Sequence, residues 1–129
     1  MRKRFGLAVL TAAAALMFVR ARRDWSPVRV EGPSMLPTLK PGDLLAVRPL
    51  RADEPHTGQL VVVRRGEIEI VKRVSETVDG YALGADEIWL TGDNPDASTD
   101  SRTAGPAARR DVVGIVRVRY RPLRSLRVF

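Results

Sequence analysis

The stretch Ile68–Val74, IEIVKRV, carries the pattern that decides the fold of this chain. In an extended strand, successive side chains point to opposite faces of the sheet. One face of this strand therefore carries three apolar side chains and one lysine, namely Ile68, Ile70, Lys72 and Val74. The pattern predicts a strand that turns an apolar face toward a core and places Lys72 on that face.

Similar runs occur on both sides of this stretch from Trp25 onward. They read VRV, DLLAV, QLVVV, EIWL and DVVGIVRVRY, and turn-forming residues separate them at KPGD, RRGE, VDGY and GDNPD. No window after residue 24 keeps a helical period. The sequence therefore predicts a mainly β protein, with one compact antiparallel β domain over residues 25–129.

The N-terminal residues form a different unit. Residues 5–19, FGLAVLTAAAALMFV, carry no charge and are flanked by basic side chains. A membrane-spanning helix needs about 20 residues, so this run is short, and a cleavable signal peptide is the alternative. An arginine cluster follows the run directly and no clear small-x-small cleavage site is present, which favours an uncleaved membrane anchor over residues 1–24.

The net charge of +7 is concentrated at the two ends of the chain. Residues 1–23 hold six basic side chains and no acid, and residues 117–129 hold five arginines and no acid. Arg117, Arg119 and Arg121 alternate, so they fall on one face of the last long strand. This distribution suits anionic membrane lipid, and no nucleic-acid-binding motif accompanies it. The predicted partner is therefore lipid, with no nucleic acid.

A serine in residues 30–39, VEGPSMLPTL, is boxed between two prolines. Pro33 and Pro37 fix their own backbone angles, so Ser34 sits in a rigid turn. An ordinary structural turn is the simplest interpretation, because a serine needs an adjacent base to become a nucleophile. Lys72 is the best candidate for that base, since desolvation on an apolar face lowers the pKa of a lysine. The alternative is a lysine that extends to solvent from an edge strand.

Residues 91–102, TGDNPDASTDSR, are crowded with short polar side chains. A hydroxyl such as that of Ser98 can orient a lysine amine, and Asp100 and Arg102 can form an ion pair that holds the loop. The alternative is a hydrogen-bonded surface loop.

Four stretches together resemble the motifs of the type I signal peptidases, Ser/Lys endopeptidases that remove signal peptides at the membrane surface. They are SMLPTL, GDLLAV, VKRV and GDNPDASTDSR, in the family's order and after an apolar N-terminal run. The resemblance covers about residues 28–121. It implies Ser34 as nucleophile and Lys72 as general base. Supporting residues and a substrate contact also follow from it, namely Ser98, Asp93, Asp100 and Arg102, and Met35 for the substrate.

The resemblance further implies that no metal or cofactor takes part. The substrate would be a preprotein or propeptide, and the catalytic domain would lie on the extracytoplasmic face of the cell membrane. One departure is Gly32, where many members have a serine that helps the oxyanion hole. Another is the short interval of 19 residues between Lys72 and Gly92, which matches minimal members of the family.

Three alternatives stay open at this point. A minimal member could be a dedicated maturation protease for one substrate, such as the N-terminal extension of nickel-containing superoxide dismutase. An inactive membrane-anchored module that only binds peptides would keep the same fold. A self-cleaving repressor would also use serine and lysine, but it should carry a DNA-binding domain where this chain has an apolar run.

Overall fold

A computed structural model describes residues 14–17, 24–78 and 80–129. Residues 14–17 are helical, and most of the predicted anchor, residues 1–24, lies outside the described residues. Within the described ranges, no helix combines the length and the apolar character that crossing a membrane requires. The anchor therefore remains a prediction.

The described residues contain nine strands, most of them short. They are β1 Ser26–Arg29, β2 Leu44–Arg48, β3 Leu60–Arg65, β4 Ile68–Val74, β5 Glu87–Ile88, β6 Leu90–Thr91, β7 Ala107–Ala108, β8 Val112–Arg121 and β9 Arg127–Val128. A short helix covers Ser101–Ala104, and single 3-10 turns cover Pro95–Ala97, Arg109–Asp111 and Leu123–Ser125. The predicted mainly β class is confirmed.

The main sheet is antiparallel and has the order β1-β2-β8-β3-β4-β6, with β9 on β8. The first half of β8 pairs with β3, and its second half pairs with β2 and β9. Gly114 lies where β8 passes β2, and a Cβ there would be 2.5 Å from the carbonyl oxygen of Arg48. Only glycine permits this close approach, so β8 can join the two halves of the sheet. Strands β5 and β7 form a separate small sheet.

Apolar side chains cover both faces of the sheet. Along β3, Leu60 and Val62 belong to one buried cluster and Val61 and Val63 belong to the other. The sequence indicated one apolar face for β4, but Val71 on the opposite face is also buried. Ile68, by contrast, is 62% exposed, because it lies beside the hairpin turn that joins β3 to β4.

One of the C-terminal arginines, Arg119, differs from its predicted arrangement. The guanidinium of Arg119 donates hydrogen bonds to the carbonyl oxygens of Thr38 (2.9 Å) and Ser125 (3.0 Å). It also lies 3.4 Å from the carboxylate of Asp43, and its side chain is only 13% exposed. The expectation that Arg119 presents its charge to lipid is therefore wrong, because groups of the protein already surround that charge.

Candidate active site

Ser34 lies in an irregular turn between β1 and β2. The amide of Leu36 donates to the carbonyl of Pro33 (3.1 Å), and the amide of Leu39 donates to that of Met35 (2.9 Å). Met35 and Leu39 are fully buried in the core, and this packing fixes the turn on the sheet. Ser34 is half-buried. Met35 thus packs within the protein, and its contact with substrate stays a prediction.

Lys72 projects from β4 opposite Val61 of β3 and is only 4% exposed. Its Nζ donates a hydrogen bond of 3.0 Å to Oγ of Ser98. Burial lowers the pKa of Lys72 from its ordinary value of 10.5, and the nearby charges of Arg65 and Arg102 add to this effect, while the Asp100 carboxylate opposes it. A lysine in such surroundings loses its proton more readily than one in water.

Asp100 is the centre of the hydrogen-bond network around Lys72. Its carboxylate is 1% exposed and accepts hydrogen bonds from the hydroxyl of Ser98 (2.7 Å) and the amide of Gly92 (2.8 Å). Arg102 binds it in bidentate fashion, with Nε 2.9 Å from Oδ1 and Nη2 2.6 Å from Oδ2. Burial alone would raise the pKa of Asp100, but the hydrogen bonds from Arg102, Gly92 and Ser98 hold it well below its usual range.

The turn of Ser34 meets this network at Gly92. The amide of Asn94 donates to the Ser34 carbonyl (2.9 Å), and the Asn94 side chain donates to the Pro33 carbonyl (3.2 Å). A Cβ on Gly92 would lie 2.6 Å from the Ser34 carbonyl oxygen and 2.2 Å from Oγ of Ser98. The Ser34 backbone and the Ser98 hydroxyl are thus separated by a few ångströms.

The predicted residues do not all bond to one another. Lys72, Ser98, Asp100 and Arg102 form one connected network, and Ser34 lies beside it. Among the described residues, Oγ of Ser34 forms no hydrogen bond with Nζ of Lys72. Hydrogen bonds between catalytic groups are often long in the free enzyme and tighten when substrate binds.

Asp93 is the centre of a second hydrogen-bond network, which includes Thr38 of the Ser34 turn. Arg73 binds its carboxylate through Nε (2.8 Å) and Nη2 (2.7 Å), and the Thr38 hydroxyl donates to it at 2.5 Å. Burial opposes ionisation of Asp93, but the hydrogen bonds from Arg73 and Thr38 keep its pKa below the usual value. Sequence reasoning found Asp93 but missed Arg73 and Thr38. The sequence did offer one signal for Arg73. It directly follows Lys72, so it lies on the other face of β4, where it could pair with an acid of the polar loop that holds Asp93.

Comparison with known proteins identifies a family. A family model described as Peptidase S24-like matches residues 11–117. A search of curated proteins finds no match. The matched range covers most of the chain and includes Ser34, Lys72 and the whole network around Asp100.

Proposed function

The chain belongs to the Peptidase S24-like family, and we propose that it is a membrane-anchored serine endopeptidase that removes N-terminal signal peptides from exported proteins. Membership indicates a serine peptidase in general. The observation that carries the finer proposal is the buried Lys72, bonded to Ser98 and lying where the Ser34 turn meets Gly92. The four motifs that resemble type I signal peptidases add the substrate class.

In the proposed reaction, neutral Lys72 accepts the proton of the Ser34 hydroxyl as the oxygen attacks the scissile carbonyl. The amide of Ser34 stabilises the resulting oxyanion, since Gly32 offers no hydroxyl. The Lys72 ammonium then protonates the leaving amine, which breaks the peptide bond and leaves an acyl-enzyme. The shortened protein departs as this amine, and the signal peptide stays bound to Ser34 as an ester. Lys72 next takes a proton from water, and the hydroxide attacks the ester carbonyl. The Lys72 ammonium returns the proton to the Ser34 oxygen as the signal peptide leaves as a carboxylate.

Ser98 and Asp100 give the lysine its orientation. The Ser98 hydroxyl donates its one hydrogen to Asp100, so its oxygen is left to accept a hydrogen bond from Lys72. A neutral amine that donates to Ser98 keeps its lone pair for another group, and Ser34 is the proposed group. Arg102 has a second role, because its bidentate pair with Asp100 offsets the negative charge that would otherwise favour the ammonium form of Lys72.

The proposed location follows from the N-terminal sequence. The uncharged run at residues 5–19 and its basic flanks would form a single-pass anchor in the cell membrane, with the catalytic domain on the extracytoplasmic face. Lipid would then be a second partner beside the preprotein. A substrate segment that adds as an extended strand would present alternate side chains to pockets, which suits selection of small residues one and three positions before the cut.

The test measures cleavage of a preprotein by the full chain in detergent or vesicles, with N-terminal sequencing of the product. Ser34→Ala, Lys72→Ala and Lys72→Arg should each abolish cleavage, because a guanidinium cannot act as a base near neutral pH. Lys40→Arg is the matched control, since Lys40 is exposed in a turn outside the network, and it should retain full activity. Activity above a tenth of wild type in Lys72→Arg would remove Lys72 as the base.

A depletion experiment separates general from dedicated processing. Cells depleted of this chain should accumulate many uncleaved preproteins if it processes signal peptides broadly. Accumulation of one precursor alone would identify it as a maturation protease for a single substrate, such as the N-terminal extension of nickel-containing superoxide dismutase.

A further inference from the structure

A cavity of about 750 Å³ opens at the end of the β3–β4 hairpin, outside the network around Asp100. Its walls come from the end of β3, from the chain after the short helix Ser101–Ala104, and from the start of β8. The lining residues that matter here are Val63, Arg64, Arg65, Arg110, Asp111 and Val112.

Part of the cavity wall lies on the same face of the sheet as Lys72. Alternation places Val61, Val63 and Arg65 of β3 on one face, and Val61 pairs with Lys72 while Val63 pairs with Ile70. The wall formed by Val63 is therefore two residues, or about 7 Å, along the sheet from the Lys72 pair.

The Ser34 turn lies near Lys72 on the β6 side of β4, whereas the cavity lies on the β3 side. Strand β4 lies between β3 and β6, and the Ser34 turn is held by Gly92 and Asn94, which follow β6. The cavity is on the β3 side. A peptide with its scissile carbonyl at Ser34 and its leaving amine at Lys72 would therefore continue toward the cavity with the residues that follow the cut.

The charge of the cavity is positive and only partly compensated. Arg64 is paired with Glu69 at 3.1 Å. The side chains of Arg65, which is half-buried, and Arg110 form no hydrogen bond or ion pair within the described part of the chain. Asp111 is the one carboxylate among the described lining residues. Planar guanidinium groups without a partner bind carboxylates well, because they can donate two parallel hydrogen bonds.

We propose that this cavity is a substrate subsite in which Arg65 and Arg110 bind an aspartate or glutamate side chain about two or three residues after the scissile bond. The inference rests on the proposed function, because it takes Ser34 and Lys72 to mark the position of the cut. The subsite would add a preference for an acidic residue after the cut to the preference for small residues expected before the cut. The influence of the Arg65 charge on the Lys72 pKa agrees with the short path between cavity and lysine.

The test uses peptides that span a cleavage site and differ only in having Asp, Asn or Lys at the second and third positions after the cut. Their dissociation constants are measured by calorimetry on full-length Ser34→Ala protein, which holds peptides without cutting them. We expect the Asp peptide to bind about tenfold tighter than the Asn peptide, and the Lys peptide to bind more weakly than both.

Substitutions in the same background identify the residues responsible. Arg65→Gln with Arg110→Gln should reduce the preference for Asp to less than twofold and leave binding of the Asn peptide unchanged. Arg65→Glu should shift the preference toward the Lys peptide. Arg124→Gln is the matched control, because it removes one positive charge at an exposed position away from the cavity, and it should keep the preference.

Equal binding of the Asp and Asn peptides, or a preference that survives the double substitution, would overturn the subsite. Neither result depends on cleavage. The proposed function is tested separately by adding the same peptides to the wild-type protein, where failure to cut any of them contradicts the peptidase assignment without altering the binding comparison.

Discussion

Replacing Gly92 with alanine should reduce activity strongly, because Gly92 separates the Ser34 turn from the Ser98 hydroxyl. The added Cβ would lie 2.6 Å from the Ser34 carbonyl oxygen and 2.2 Å from Oγ of Ser98. Ordinary contact begins at 3.4 Å, so the Ser34 backbone would have to move by about 0.8 Å and Ser98 by more. Both groups belong to the proposed catalytic arrangement.

The magnitude follows from these displacements. A misplacement of about 1 Å between reacting groups can cost about 10²-fold in rate, and overpacking costs about 1–3 kcal/mol of folding stability. Gly92→Ala should therefore lower kcat/KM for preprotein cleavage by about 10²-fold while the protein stays folded. The assay combines steady-state cleavage kinetics with a urea unfolding curve for each variant.

Gly32→Ala is the matched control. Gly32 is two residues before Ser34, and a Cβ there meets no atom within 4 Å. Its activity should stay within about twofold of wild type. A folded Gly92→Ala protein with wild-type kcat/KM would refute the reasoning, because it would show that the approach of Ser34 to Ser98 does not matter for the reaction.

Three other substitutions probe polar side chains, namely the buried Lys72 and Glu54 and the half-buried Ser98. Lys72→Met should raise the unfolding midpoint at pH 7, since burial disfavours the charged form of the lysine and the unfolded state keeps that form. This gain should shrink as the pH rises from the lowered folded-state pKa to 10.5, because over that range the unfolded state binds more protons than the native state and the wild type gains stability with pH. Ser98→Ala should lower kcat by about 10 to 10³-fold with little change in KM, since it loosens the base and not the substrate; an unchanged kcat would make Ser98 a loop residue. The hydrogen bond from Arg48 lowers the pKa of buried Glu54 to about 2. Glu54→Gln should therefore cost about 3 kcal/mol in urea unfolding at pH 7, and the difference from wild type should decline as the pH falls from about 4.5 to 2.

The strands were predictable wherever the chain alternates over several residues. Each of the six quoted runs contains part of a strand, and β4 occupies the whole of Ile68–Val74. Strands β7 and β9 have two residues each, which is too short for any period to show. Strand β9 pairs with the longer β8, and β7 pairs with β5, which is equally short. Both strands depend on a partner that is distant in sequence, and sequence pattern does not report on partners.

The site residues were predicted from the resemblance of four stretches to a known family, because pattern alone left Lys72 open to interpretation as a lysine on an edge strand. The ion pair of Asp100 with Arg102 is local in sequence, so its two members could be proposed together. The partners of Asp93 are distant from it in sequence. Arg73 reaches Asp93 only because β6 pairs with β4 and places Thr91 opposite Arg73.

Arg119 shows what alternation leaves undecided. The pattern correctly places it on β8, but the surroundings of its face depend on the turn between β1 and β2. The Arg119 guanidinium donates a hydrogen bond to the Thr38 carbonyl, and the Thr38 hydroxyl donates one to the Asp93 carboxylate. That carboxylate also accepts a hydrogen bond from Arg73 of β4. This chain of contacts passes beneath the Ser34 turn and links the two halves of the sheet on which the site is built. The hydrogen bonds of Arg119 thus help to fix the turn that contains Ser34. Lipid contact remains a prediction only for arginines such as Arg121 whose side chains are exposed.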